Sequence, residues 1–120
     1  MGLRFIPGKF KPAWGARRQK HEAGRMNKTE AEYAGRLEIK KRAGEILDYR
    51  FEHLKIRLAD KTFYTPDFVV YAPDGMEFHE VKGHWEDDAR VKIKVAAEQN
   101  PMHRFVAISK TKGMWYEEEF

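Results

Sequence analysis

The sequence predicts an α/β domain with the element order α-β-β-β-α-β. Three observations carry this: a well-capped helix near the start, alternating apolar stretches broken by turn signals, and a second helix standing between two strand-like segments. A strand, a crossover helix and a further strand join as a right-handed parallel pair. The central sheet is therefore expected to be mixed and flanked by helices.

The first helix begins at Asn27, where Asn-Lys-Thr-Glu places a cap residue three positions before Glu30. Glu30, Tyr33 and Leu37 share one face, and the helix is expected to run to about Arg42 and stop before Gly44. From Ile46 to Leu58 the pattern turns to strand, with Leu54, Ile56 and Leu58 alternating with His53, Lys55 and Arg57. Thr62 to Tyr71 forms a second strand, and Pro66 within it argues for an edge, a bulge or a bend. After the Pro73-Asp74-Gly75 turn, Met76 to Val81 forms a third strand with Met76, Phe78 and Glu80 on one face. A helix over about 86–99 should present Val91 and Val95, with Ala96 and Glu98 as further candidates for that face, and Arg104 to Ile108 is a short apolar strand. Met114-Trp115-Tyr116 is expected to add an edge strand.

Residues 1–26 show no helical or strand period and read as a flexible basic arm, ahead of one domain over 27–120. The arm carries seven Lys and Arg residues against Glu22 alone, a balance of +6, while residues 27–120 balance at −2. A basic arm on a slightly acidic body suits a polyanion, with counterion release supplying affinity. Lys9, Lys11, Arg17, Arg18, Lys20 and Arg25 are the candidate DNA contacts there. No run of eighteen apolar residues and no secretory leader pattern is present, so a cytoplasmic protein without membrane contact is expected. There is no cysteine, which excludes disulfides and thiolate zinc sites, and no Gly-rich phosphate loop, which argues against a nucleotide cofactor.

The chemistry concentrates in Pro66-Asp67 and Glu80-Val81-Lys82. Carboxylate oxygens suit Mg²⁺, and a lysine beside them can orient a water or balance developing charge. Asp67 and Glu80 are the candidate ligands for one or two Mg²⁺, with the Val81 carbonyl as a further ligand and Mn²⁺ as a substitute. Glu80 and Lys82 are two apart on one strand, so their side chains leave the same face. Glu30 is the candidate fourth catalytic group, chosen over Glu32 because it shares the Tyr33/Leu37 face. His53, His79 and His103 read as surface or hairpin residues, and His84, directly after the motif, as a candidate phosphate contact. A solvated Glu-X-Lys pair is the plainer alternative; what weighs against it is the conjunction with Pro-Asp and an upstream helical glutamate.

At these residues the chain resembles the PD-(D/E)XK nuclease superfamily. Over Tyr64-Thr65-Pro66-Asp67-Phe68, Glu80 to Asp88, and Glu98-Gln99-Asn100-Pro101 it is similar to the phage endonuclease I family of four-way-junction resolvases and to related small phage endonucleases. The likeness spans about residues 27–110. It implies a restriction-endonuclease-like core and Mg²⁺-dependent hydrolysis of DNA. By the same likeness Asp67 and Glu80 are metal ligands, Lys82 is the catalytic lysine, and Glu30 is the first-helix glutamate. It further implies a homodimer acting on branched DNA such as a Holliday junction, in a phage or prophage setting. Where the resolvases carry an additional acidic residue early in the first strand, this chain has Arg50 or Glu52 nearby. A nicking nuclease without junction preference, and a catalytically silent DNA-binding protein, are the competing readings.

Overall fold

The computed structural model describes residues 24–82 and 87–120, with the Asp87 side chain left aside. Helix α1 (Lys28–Arg42) starts with a capping box: the Asn27 side chain accepts the Glu30 backbone N–H, and the Glu30 side chain accepts the Asn27 backbone N–H. Lys40, Lys41 and Arg42 fill its last turn, where positive charge complements the helix dipole. The helix closes at Ala43, and Gly44 follows at φ +82, a left-handed conformation suited to glycine.

Among the described residues seven strands follow: β1 (Asp48–Phe51), β2 (Ile56–Ala59), β3 (Thr62–Tyr64), β4 (Phe68–Ala72), β5 (Gly75–Lys82), β6 (Arg104–Thr111) and β7 (Met114–Glu119). Helix α2 (Asp87–Gln99) lies between β5 and β6. Five strands form one mixed sheet in the order β1-β4-β5-β6-β7, while β2 and β3 pair separately. The expected crossover is present, since β5 and β6 run parallel with Glu80 opposite Ala107 and Lys82 opposite Ser109. The other pairings of these strands are antiparallel. The α/β class, the mixed sheet and the two flanking helices are as the sequence predicts.

The element order differs from α-β-β-β-α-β in two places. The strand pattern over 46–58 is two strands, and only β1 joins the main sheet. Glu52, at φ +48, turns the chain out of the sheet between them. The expected strand Thr62 to Tyr71 is likewise cut at Pro66 into β3 and β4. Proline cannot donate to the ladder, so the chain leaves the small hairpin there and enters the main sheet at Phe68. The terminal pair closes tightly: Lys112 and Gly113 have φ of +53 and +79 between the partners Thr111 and Met114, the geometry that matches strand twist.

Each face of the sheet has its own core. Tyr33 and Leu37 of α1 pack with Phe68, Val70, Val81, Val106 and Ile108 on one face. On the other, Ile93 and Ala96 of α2 and Tyr64 of the hairpin pack with Val69, Phe78 and Phe105. Residues adjacent in β4 and β6 thus supply opposite cores, which is why these central strands read as unbroken apolar runs. In α2 the buried face is Ala89, Ile93 and the expected Ala96, whereas Val91, at 57%, and Glu98 are exposed. Val91 stands two residues, about 200° around the helix, from both Ala89 and Ile93.

Candidate active site

The site forms where β4 begins and β5 ends. Pro66 and the departing hairpin set Asp67 immediately before β4, and its backbone carbonyl is held by the Glu52 N–H at 2.8 Å. The Asp67 carboxylate then accepts the Val81 N–H through Oδ2 at 2.8 Å. A side chain thus takes a backbone group of the neighbouring strand and is fixed by it. Glu80 and Lys82 leave β5 on the Phe78 face, as strand alternation requires. Lys82 Nζ stands 3.1 Å from Glu80 Oε2, and the Tyr64 hydroxyl donates to Glu80 Oε1 at 2.8 Å. Asp67, Glu80 and Lys82 are all buried, Asp67 completely.

Burial of this kind demands partners, because an isolated carboxylate in a dry interior is costly. Two carboxylates sharing one lysine leave a formal charge of −1 among the three. Glu80 registers that surplus: burial, then the Asp67 charge, push its carboxyl up to about 7, against the opposing pull of Lys82 and the Tyr64 hydroxyl. A divalent cation would neutralise the surplus, and the donor set of two carboxylates and the Val81 carbonyl is the hard-oxygen chemistry that Mg²⁺ takes. Among the described residues no three His, Asp or Glu side chains stand close enough to form a ready cage. The fit therefore rests on two carboxylates, which is how Mg²⁺ is ordinarily held, its remaining positions going to water and phosphate.

Of the residues singled out in the sequence, Asp67, Glu80, Val81 and Lys82 come together. Glu30 is buried at the start of α1, on the other side of the sheet, and its Oε1 is 2.9 Å from the Asn27 backbone N–H. Helix α1 lays Glu38 and Lys41 over Tyr49 and Asp48, and Tyr33 over Phe68, so Glu30 lies further along toward the Asp67 end. Glu32 instead pairs with Lys110 at 2.7 Å. The Glu52 carboxylate accepts the Gly24 N–H at 2.8 Å, and Arg50 pairs with Asp48. Lys9, Lys11, Arg17, Arg18, Lys20 and His84 lie outside the described residues, and Arg25 is exposed just ahead of α1.

Two features escape the sequence reading. Tyr64 has a defined chemical role, holding Glu80; the signal available was its place three residues before Asp67 in a segment bent by proline. His79, expected at the surface, is 5% exposed. Its Nδ1 is 2.7 Å from the Tyr33 hydroxyl and its Nε2 is 2.9 Å from Glu77 Oε1. Alternation sends it to the α1 face, and α1 covers that face, so a polar residue there is enclosed and must be bonded.

Comparison with known proteins finds no matching family model, no matching curated protein and no matching solved structure.

Proposed function

We propose that the chain is a Mg²⁺-dependent DNA endonuclease built on a restriction-endonuclease-like core, with Asp67, Glu80 and Lys82 as its catalytic centre. The observation that carries the reading is the buried convergence of two carboxylates and a lysine, with Glu80 bonded to both Tyr64 and Lys82. A solvated surface pair, the plainer alternative, does not suit residues that are at most 8% exposed.

In this reading Asp67, Glu80 and the Val81 carbonyl would hold a Mg²⁺, whose chemistry there would be to polarise a phosphodiester and acidify a water. The rest falls to the chain. The Val81 N–H and the Glu52 N–H fix Asp67 at two points, so its second oxygen is aimed by backbone and not by a mobile rotamer. Tyr64 holds one oxygen of Glu80 and, by donating to it, favours the anion against the upward push of burial and Asp67. Lys82 balances the developing charge at the reacting phosphate, or orients the attacking water.

Branched DNA, specifically a four-way junction, is the proposed substrate, with a homodimer cutting two strands. It follows from the likeness of the motif segments and is the part most open to test. The protein is incubated with linear duplex, nicked duplex and a synthetic junction, with Mg²⁺ or with EDTA. Junction cutting that needs Mg²⁺ is expected. Equal cutting of all three substrates removes the junction preference, and no metal-dependent cutting of any leaves the silent DNA-binding reading.

A further inference from the structure

We infer that the β2–β3 hairpin is a two-sided element: its inner side holds the catalytic centre and its outer side binds the phosphate backbone of duplex DNA. The inference rests on the DNA reading above. On the inner side, Ile56 and Leu58 pack against the α2-side core together with Tyr64, whose hydroxyl donates to Glu80. On the outer side stand Lys55, Arg57 and Phe63, all exposed, with Lys61 exposed at the turn. Arg57 and Phe63 are partners across the two strands, and Lys55 Nζ lies 4.9 Å from the centre of the Phe63 ring.

These cations differ from the ion-paired ones, and unlike the other untied cations among the described residues (Lys28, Arg36, Lys40, Lys92, Lys94 and Lys112) the three stand on one short hairpin beside an exposed aromatic ring. Lys41, Arg42, Arg50, Arg90, Arg104 and Lys110 are each tied to a carboxylate. Among the described residues Lys55, Arg57 and Lys61 have no such tie, and Asp60 is the one carboxylate between positions 55 and 63. Exposed cations on a braced strand have charge to offer, and the backbone that carries them is already ordered. The brace is visible: the inner residues are packed, and Gln99 at the end of α2 donates to the Leu58 carbonyl at 3.1 Å. A half-exposed phenyl ring between cations adds an apolar surface suited to sugar or base edges, while the cations take phosphates.

The placement also fits. The chain passes from β3 through Thr65 and Pro66 directly into Asp67. Phe63 is four residues from Asp67, at most about 13 Å along an extended chain. Duplex of that length carries about eight phosphate charges, so a duplex engaged at Asp67 offers several to the hairpin.

The test measures affinity for a duplex of about 30 base pairs against salt concentration, in EDTA so that nothing is cut. Three full-length proteins are compared: the parent, Lys55→Ala/Arg57→Ala/Lys61→Ala, and a charge-matched Lys40→Ala/Lys41→Ala/Arg42→Ala at the far end of α1. With three fewer phosphates neutralised, the slope of log affinity against log salt falls by about 2.7, so the parent's affinity loss between 50 and 200 mM shrinks about 40-fold. The α1 variant should keep the parent's slope. Arg57→Glu alone, which leaves the inner residues intact, reads the same surface should the triple variant be unstable. A parent that does not bind duplex, a hairpin variant with the parent's slope, or an equal reduction in the α1 variant overturns the inference. Binding through the hairpin without any Mg²⁺-dependent cleavage would sink the nuclease reading and leave this surface standing.

Discussion

At the scale of single residues, the decisive group is Glu80. Its carboxyl is pushed up to about 7 by burial and by Asp67, against an ordinary value of 4.5. Between those values the folded chain binds more protons than the unfolded one, so stability falls as pH rises through the window. The effect amounts to about 3 kcal/mol at most once Glu80 is fully ionised. Urea unfolding in EDTA should therefore show a less stable protein at pH 7.5 than at pH 5.5, with a flatter dependence in Glu80→Gln. A stability that rises over that range, or an unchanged slope in the variant, would refute the buried, Asp67-coupled state of this carboxyl. Tyr64 offers a second handle. Its hydroxyl favours the Glu80 anion, so Tyr64→Phe should move the acid limb of the pH–cleavage profile to higher pH. A limb that stays in place contradicts that role.

At the scale of elements, the sheet divides the work between its faces. The α1 face holds a structural polar chain, from Tyr33 to His79 to Glu77 to Arg104. Burial pushes the Tyr33 phenol above its ordinary range, which keeps it neutral beside His79. Tyr33→Phe leaves a buried ring nitrogen without that partner and should cost about 1–3 kcal/mol in unfolding free energy. Asn27→Ala, which breaks the capping box of α1, should cost about 1 kcal/mol. A change below a few tenths in both variants would show that this face is not held by these bonds. Much of this level is legible in the sequence: Asn27 and Gly44 bracket α1, and the Pro73-Asp74-Gly75 turn opens β5. The splitting of the strands is not. Alternation in Leu54, Ile56 and Leu58 is the same whether a strand joins the main sheet or a side hairpin, and only the partner decides. His79 is misplaced for a related reason. Period two says which face a residue takes, but not whether a helix will cover that face.

At the scale of the whole molecule, the site is legible and its setting less so. Asp67, Glu80 and Lys82 stand out because acids and a lysine at those spacings converge only if β4 and β5 are neighbours, and the turn at Pro73-Asp74-Gly75 makes them so. Tyr64 is hidden by the bend at Pro66, which takes it off the strand alternation that would have pointed it at Glu80. Charge is distributed unevenly, with +6 on residues 1–26 and, among the described residues, cations without carboxylate partners on the hairpin. Deleting residues 2–23 should weaken DNA binding and flatten its salt dependence, by about 0.9 in slope for each phosphate that is no longer neutralised. An unchanged slope would show that those residues neutralise no phosphate.

The central claim is that Asp67, Glu80 and Lys82 form a metal-dependent hydrolytic centre. It is tested most directly by junction cleavage in Mg²⁺ by the parent, Asp67→Ala and Lys82→Ala, with junction binding measured on the same proteins. Lys82→Ala should lower cleavage at least about 100-fold, and Asp67→Ala should abolish it, with binding kept in both. Cleavage that persists at the parent's rate in either variant, or a parent that cuts nothing, would contradict it.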